Sequence, residues 1–269
     1  MQNRSENTYQ KINTIFFRDN NNVIMPYAGF VQPEFEYLRN CKWEATEKID
    51  GTNMRIEVKQ YPTYEDGTQN INGVKFSVEI KGKTDTADIP KNLKEFMEAN
   101  YSKEKVFDAL GIKEQILIEE WELYNWLSYD SIPRKYTVYG EGYGLKIQKG
   151  GNYIKDGVGF IVFDVKVNEI YLKTDVYRSI AEKLGAPTVP NMGLMTIDEA
   201  IEFVKKGFKS TIAQNKDYDA EGLVLKTPLG LKDRMGRRLI VKIKTCDFRK
   251  YYNKYHTYDK VEQTRNMNY

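Results

Sequence analysis

Lys48 sits in the run Glu47-Lys48-Ile49-Asp50-Gly51-Thr52-Asn53, two residues before an Asp-Gly dipeptide. A lysine amine is a nucleophile only when neutral, and burial or nearby positive charge favours that form. A turn glycine beside the lysine lets a phosphate come close to the backbone. Far downstream, Lys242 and Lys244 stand two apart in an apolar run, so on a strand both point to one face. Such a pair supplies the positive charge a neighbouring lysine needs and also neutralises a triphosphate. Glu141, in Tyr139-Gly-Glu141-Gly, and Glu221, in Glu221-Gly-Leu-Val, each adjoin glycine at a strand end. A carboxylate there suits ribose hydroxyls or a hydrated Mg²⁺ or Mn²⁺, since Mg²⁺ prefers one or two carboxylates plus phosphate oxygens. Phe163, in Phe160-Ile-Val-Phe163-Asp164, offers a ring to a purine base.

Each piece has a bland counterpart. Lys-x-Asp-Gly arises by chance in roughly one chain in twenty of this length. Glu141 taken alone is equally a solvated strand end, Phe163 a core residue, and the lysine pair a solvent face. Order, spacing and residue type together weigh against the bland readings.

The elements that must position these residues are read from periodicity and turn chemistry. Segments 43–49 and 53–59 are strand-like and flank Asp50-Gly51, a dipeptide that favours a tight reversal. Segment 74–81 alternates apolar and polar residues with the period of a half-buried strand. Residues 90–111 read as helical, with a break near Asn100 and a stop at Gly111. Further strands are expected at 115–123, 135–141, 158–167, 169–173, 221–226 and 238–244. A helix runs from Thr174 to Leu184 and stops at Gly185 and Pro187. Thr196 to Glu199 form a capping box opening a helix to Lys206. The tail from Phe248 has helical character. The expected class is α+β, with antiparallel sheets and peripheral helices.

Composition narrows the function classes. The 269 residues carry 41 Lys+Arg against 38 Asp+Glu, a net charge of +3, so a polyanion site must come from local clustering. Candidate clusters are Lys146 to Lys155, with Lys149 beside Gly150-Gly151, and Lys232 to Arg238. The tail interleaves Arg249, Lys250 and Lys254 with Tyr251, Tyr252 and Tyr255, which suits single strands or a helix packed on the domain. Cys41 and Cys246 show neither metal nor disulfide spacing, which favours a reducing interior. No apolar run is long enough for a membrane span, and no export signal opens the chain. The single histidine, His256, leaves no His-based metal site.

These motifs together resemble the covalent nucleotidyltransferase superfamily of DNA ligases, RNA ligases and mRNA capping enzymes. Lys48-x-Asp50-Gly51 is similar to its first motif, Glu141-Gly142 to the third and Phe163-Asp164 to the one after it. Glu221-Gly222 is similar to the fourth and Lys242-x-Lys244 to the fifth. The resemblance spans about residues 40–250. DNA ligases and capping enzymes usually carry arginine where Asn53 stands. Gly51-Thr52-Asn53 resembles instead the nick-sealing RNA ligases of phage T4 and RNA-editing systems, although Asp50 stands where that group tends to have histidine. Phage and bacterial RNA ligases reading Lys-Ile-Asp-Gly-Thr-Asn are a closer likeness. In them a Gly-Arg-Thr-Asp element follows. Here it is Gly82-Lys83-Thr84-Asp85, with lysine for the arginine that binds near the 3′-OH end.

The resemblance implies a nucleotidyltransferase fold (ATP-grasp-like) over residues 1–245, a short helical tail over 246–269, and no OB-fold in the 25 residues after Lys244. It implies ATP with Mg²⁺ or Mn²⁺, an AMP carried on Lys48, and joining of 5′-phosphate and 3′-OH RNA ends. Lys242 and Lys244 would contact the α-phosphate, Glu221 metal, Glu141 the ribose and Phe163 the adenine. Glu47 and Ile49 flank the nucleophile, Glu47 as acceptor for the adenine amino group or as a plain surface strand residue. Asn53 would hold a phosphate or sugar oxygen, and Arg55, Lys83 and Lys149 nucleic acid. RNA ends, in a nicked duplex or RNA/DNA hybrid among other forms, are the expected partners, with an end-healing kinase as a candidate. A role in RNA repair in the cytoplasm of a bacterial or phage-infected cell follows. Rival readings are a DNA nick ligase, separated by matched RNA and DNA nicks, and an inactive RNA-end-binding module, which would lack the lysine or metal carboxylate.

Overall fold

The computed structural model describes residues 8–64, 66–67, 71–113, 115–117, 135–148 and 153–266. The chain forms two compact units, Met1–Tyr9 with Asp50–Val189, and Gln10–Ile49 with Pro190–Tyr269.

The first unit is built on a sheet of order β5-β4-β3-β6-β7-β8. Its strands are β3 (Thr52–Tyr64), β4 (Ile71–Gly82), β5 (Gln115–Leu117), β6 (Lys135–Gly144), β7 (Val158–Val167) and β8 (Ile170–Tyr171), all neighbours running antiparallel. Strand alternation explains its two faces. Met54, Ile56 and Val58 of β3, Val74 and Phe76 of β4, and Val138 of β6 are buried in one apolar cluster. Helices α2 (Lys91–Asn100), α3 (Lys103–Leu110) and α4 (Thr174–Lys183) cover that cluster with Leu93, Met97, Val106, Phe107, Tyr177 and Ala181. Ser102 caps α3 by accepting from the Lys105 N–H, and Gly111 takes the left-handed conformation that ends it. The helical stretch expected over 90–111 is thus two helices, broken after Asn100.

The second unit carries a sheet of order β1-β11-β10-β2-β9. Its strands are β1 (Asn13–Thr14), β2 (Trp43–Lys48), β9 (Asn191–Met195), β10 (Gly222–Lys226) and β11 (Ile240–Lys244). All pairings are antiparallel except β1 with β11. Trp43, Ala45, Leu223, Leu225, Val241 and Ile243 form the buried face, packed against Ile197, Ala200 and Val204 of α5 (Ile197–Lys206). The capping box is present: Thr196 accepts from the Glu199 N–H and Glu199 from the Thr196 N–H. Short α1 (Pro33–Tyr37) buries Phe35, and α6 (Thr245–Asn266) follows β11 without a break. Among the described residues no helix is long and apolar enough to cross a membrane.

Two expectations change. The reversal at Asp50-Gly51 does not close a hairpin, because β2 pairs with β9 and β10 while β3 pairs with β4 and β6. Gly51 is needed for close approach: a Cβ there would lie 2.2 Å from the Gly142 carbonyl oxygen. Strand β9 was not expected, since Asn191-Met-Gly-Leu-Met195 shows neither alternation nor β-branched residues. Of the strand expected at 115–123, residues 118–123 lie outside the described set.

Gly222 adopts φ +150°, and a Cβ there would lie 2.0 Å from the Ile243 carbonyl oxygen of the next strand. Gly222→Ala is expected to cost about 2 kcal/mol or more, lowering Tm by about 4–8 °C. Thr196→Ala, which loses only a cap, is expected to cost about 1 kcal/mol. Thermal melts of the two variants check the order.

Candidate active site

Register places the lysines of the second unit. Across β2, β10 and β11, Lys48 pairs with Gly222 and Gly222 with Lys244. The next row on that face is Thr46, Val224 and Lys242. Residues directly opposite share a face, so Lys48, Lys242 and Lys244 rise from one side of three adjacent strands. Gly222 places no side chain between Lys48 and Lys244, and the residue before it is Glu221. Lys48 Nζ donates to Glu221 Oε2 at 2.5 Å, and Lys244 Nζ meets Oε1 at 2.5 Å. The side chains of Lys48, Glu221 and Lys244 are only 19%, 14% and 28% exposed. Lys48 also donates to the Ile49 carbonyl at 3.3 Å.

Lys242 has no carboxylate at ion-pair distance among the described residues. Burial holds its amine below the ordinary lysine value, and the charges of Lys244 and Lys48 add to that, outweighing Glu221. Burial also acts on Lys244, but there the hydrogen bond and charge of Glu221 win and the value is raised. Arg18 contributes positive charge to Lys242 as well and is anchored by Asp247 Oδ2 at 2.5 Å and by the Asn22 carbonyl at 2.9 Å. Nothing in the sequence singles out Arg18, which lies outside every motif.

Glu47 and Ile49 behave differently from Lys48. Neighbouring strand residues point to opposite faces, and Glu47 is 1% exposed on the far side of β2. Its carboxylate receives Ser210 Oγ at 2.5 Å, the Thr211 N–H at 3.0 Å and Thr211 Oγ1 at 2.8 Å. These partners lie more than 160 residues away in sequence, which hid them. Here Glu47 fastens the 210–211 turn to β2. Ile49 is buried at 4% exposure.

In the first unit, Asn53 pairs directly with Glu141 across β3 and β6. Asn53 Oδ1 is buried and has no hydrogen-bond partner among the described residues. Phe163 is the extra residue of a β-bulge: Tyr139 pairs with Asp164 and Gly140 with Val162. Bulges re-aim side chains, and Phe163 is half-buried rather than core. Tyr9 meets its ring edge-on at 5.0 Å and donates to buried Asp164 at 2.7 Å.

Arg55 is corrected. Expected on nucleic acid, it is 0% exposed. Its Nε meets Glu57 Oε1 at 2.5 Å, and Nη1 donates to the carbonyls of Gly82 at 2.6 Å and Lys83 at 2.8 Å. Its Nη2 pairs with Asp85. Every arm of the guanidinium is therefore spent on Glu57 and the 82–85 turn, while Lys83 itself is exposed. Strand alternation puts Arg55 off the apolar face but does not say what covers the polar one. Burial raises the Glu57 carboxyl, but Arg55, Lys81 and Lys59 together hold it below its ordinary value. Lys149 lies outside the described residues.

A model of the RNA ligase family matches residues 42–244, well over half the chain. The chain belongs to the RNA ligase family. No curated protein sequence matches it. Among solved structures it is similar to the Naegleria gruberi RNA ligase with PPi, at 18% identity and TM-score 0.49 over 93% of this chain and 64% of that one. A mutant of that ligase with ATP and Mn matches at 16% identity and TM-score 0.49, over 90% and 63%. A mutant with AMP and Mn matches at 18% and 0.47, over 94% and 63%. This RNA ligase family member thus spans less than two thirds of the Naegleria chain's length.

Arg55→Ala is expected to leave Glu57 buried without its main partner and cost about 3–5 kcal/mol. Arg55→Lys keeps the charge, loses the fork and should cost less. Urea denaturation of both variants, with Lys83→Ala as an exposed control within about 0.5 kcal/mol of wild type, checks the ranking.

Proposed function

We propose that this RNA ligase family member is an ATP-dependent RNA ligase that seals 5′-phosphate and 3′-OH ends through an AMP carried on Lys48. One observation carries the reading: Lys48 and Lys244 share the Glu221 carboxylate on a sheet face that also holds Lys242. Three lysines against one carboxylate make a cationic surface suited to a triphosphate.

The chemistry follows from these groups. Lys48 is held by Glu221 and is free to attack once that pair opens and the amine gives up a proton. Its nitrogen then bonds the α-phosphorus of ATP as the bond to the β-phosphate oxygen breaks and pyrophosphate leaves. Lys242 and Lys244 neutralise the phosphate oxygens during this transfer. In the second step a 5′-phosphate oxygen of RNA takes the AMP from Lys48, giving a 5′–5′ pyrophosphate. In the third, the 3′-OH attacks the 5′-phosphorus, the phosphodiester forms and AMP leaves.

No cluster of three metal-binding side chains occurs among the described residues. One carboxylate, Glu221, fits an Mg²⁺ or Mn²⁺ ion bound mainly through substrate phosphates and water. Such an ion supplies further neutralisation of phosphate charge when bound. In the first unit, Phe163, turned out of register by its bulge, is proposed to face the adenine. Glu141 is proposed to accept from the ribose, and Asn53 Oδ1 from the strand end.

Incubation with α-labelled ATP and Mg²⁺ is expected to label the protein, and Lys48→Ala to hold less than about one thousandth of that label. Equal labelling of the alanine variant would falsify the nucleophile assignment. Glu221→Ala should lose label while melting as a folded protein. Labelled RNA and DNA, single-stranded and nicked, compared side by side then fix the strand preference, with RNA expected to be joined faster.

A further inference from the structure

Strands β10 and β11 are joined by a long hairpin, residues 227–239, that the chemistry above does not use. Its tip is built, not slack. The Asp233 N–H donates to the Arg237 carbonyl at 2.8 Å, and the Leu239 N–H to the Leu231 carbonyl at 2.8 Å. The Asp233 carboxylate receives the N–H groups of Met235 and Arg237 at 2.9 Å each and Arg237 Nε at 2.7 Å. Thr227 Oγ1 receives the Leu231 N–H at 2.8 Å. At the base, Gln10 donates to the Arg238 carbonyl at 2.8 Å and accepts its N–H at 3.1 Å. Gly230 and Gly236 take the left-handed conformations, φ +63° and +75°, that the two turns require.

This fixed frame presents an unusual surface. Between residues 230 and 238 stand four cations, Lys232, Arg234, Arg237 and Arg238, and one acid, Asp233. Asp233 is buried at 8% and engaged by Arg237, so its charge does not face outward. Lys232, Arg234 and Arg237 are exposed, in a protein whose net charge is only +3. Beside them Leu229 and Met235 are 84% and 71% exposed on backbone that is held in place. A rigid hairpin with exposed apolar side chains among exposed cations matches a ligand with a polyanionic backbone and apolar sugar and base edges.

We propose that the β10–β11 hairpin is a docking surface for the substrate RNA, with Lys232, Arg234 and Arg237 on phosphates and Leu229 and Met235 against sugar and base edges. The proposal rests on the RNA ligase reading and adds where the strand is held. The hairpin lies at the end of β10 opposite Gly222, so the five residues Gly222–Lys226 separate it from the Lys48 row. At about 3.3 Å per residue that is roughly 16 Å. The hairpin is therefore expected to grip the RNA several nucleotides from the end being joined.

The test uses the full chain and a nicked RNA duplex with a fluorescent label. The double variant Lys232→Glu/Arg234→Glu is expected to bind about tenfold more weakly at moderate salt. Its slope of log affinity against log salt should fall by about two, one for each phosphate no longer neutralised. Labelling of Lys48 by α-labelled ATP should stay at the wild-type level, because neither residue belongs to the nucleotide site. That unchanged label also reports an intact fold. Wild-type affinity and slope in this variant would overturn the proposal. So would self-association or protein capture that Leu229→Ser/Met235→Ser abolishes while RNA affinity is unmoved, which would make the hairpin a protein-docking surface. Loss of label from the wild-type protein itself would instead sink the ligase reading, so the two failures are distinguishable.

Discussion

One carboxylate shared by two lysines organises the second unit. Two unit positive charges about 4 Å apart repel by about 4 kcal/mol at an effective dielectric near 20. Lys48 and Lys244 can converge on one sheet face only because Glu221 stands between them, at 2.5 Å from each. The geometry that permits this is local. Gly222 leaves the row between the lysines clear, and its φ of +150° is tolerated there because glycine carries no Cβ. Glu221 is at ion-pair distance from two of the three lysines, and among the described residues Lys242 has no carboxylate that near, so there burial and like charge outweigh Glu221, while Glu221 raises Lys244. The three lysines of this face thus outnumber its one carboxylate by two. A phosphate group placed there would compete with the Glu221 carboxylate for Lys48 and Lys244.

The first unit spends charge differently. Arg55 and Glu57 are both fully buried on the face of β3 away from the apolar cluster. Such a pair is a poor source of stability in itself, because desolvation consumes most of the Coulomb gain. Its value lies in geometry. The planar fork of Arg55 fixes the carbonyls of Gly82 and Lys83 and the Asp85 carboxylate at once, so the turn carrying exposed Lys83 cannot drift. Lysine at position 83 is a flexible point charge rather than a bidentate fork.

Much of this was legible from residue order. Alternation in 74–81 located β4, the Thr196–Glu199 box located α5, and the spacing of Lys242 and Lys244 correctly put both on one face. What stayed hidden has a common physical cause: contacts at long sequence separation decide it. Asp50-Gly51 carries the chemistry of a hairpin turn, yet each flanking strand finds partners elsewhere, so local turn propensity loses to pairing. Strand β9 exists because β2 offers an edge, not because Asn191–Met195 favours extension. Glu47 looks like a companion of Lys48 in sequence, but period-two geometry sends it to the other side, where Ser210 and Thr211 satisfy it. The bulge that frees Phe163 from the β6–β7 ladder has no local signature at all.

The same two strands therefore carry two different electrostatic tasks at opposite ends. At the Gly222–Lys244 row the cations are partly buried, partnered and closely spaced, so their interactions are only weakly screened by salt. At the 227–239 hairpin Lys232, Arg234 and Arg237 are exposed, and the one acid among them is turned inward. Exposed charges about a Debye length apart act mainly on association and its salt dependence, whereas buried ones act on the reacting groups. Antiparallel pairing of β10 with β11 ties the two ends through a short rigid ladder, since five residue pairs leave little freedom between Glu221 and Thr227. On the proposed docking of RNA at the hairpin, a nucleic-acid strand held there would keep its register with the lysines, without either set of charges having to serve the other's purpose.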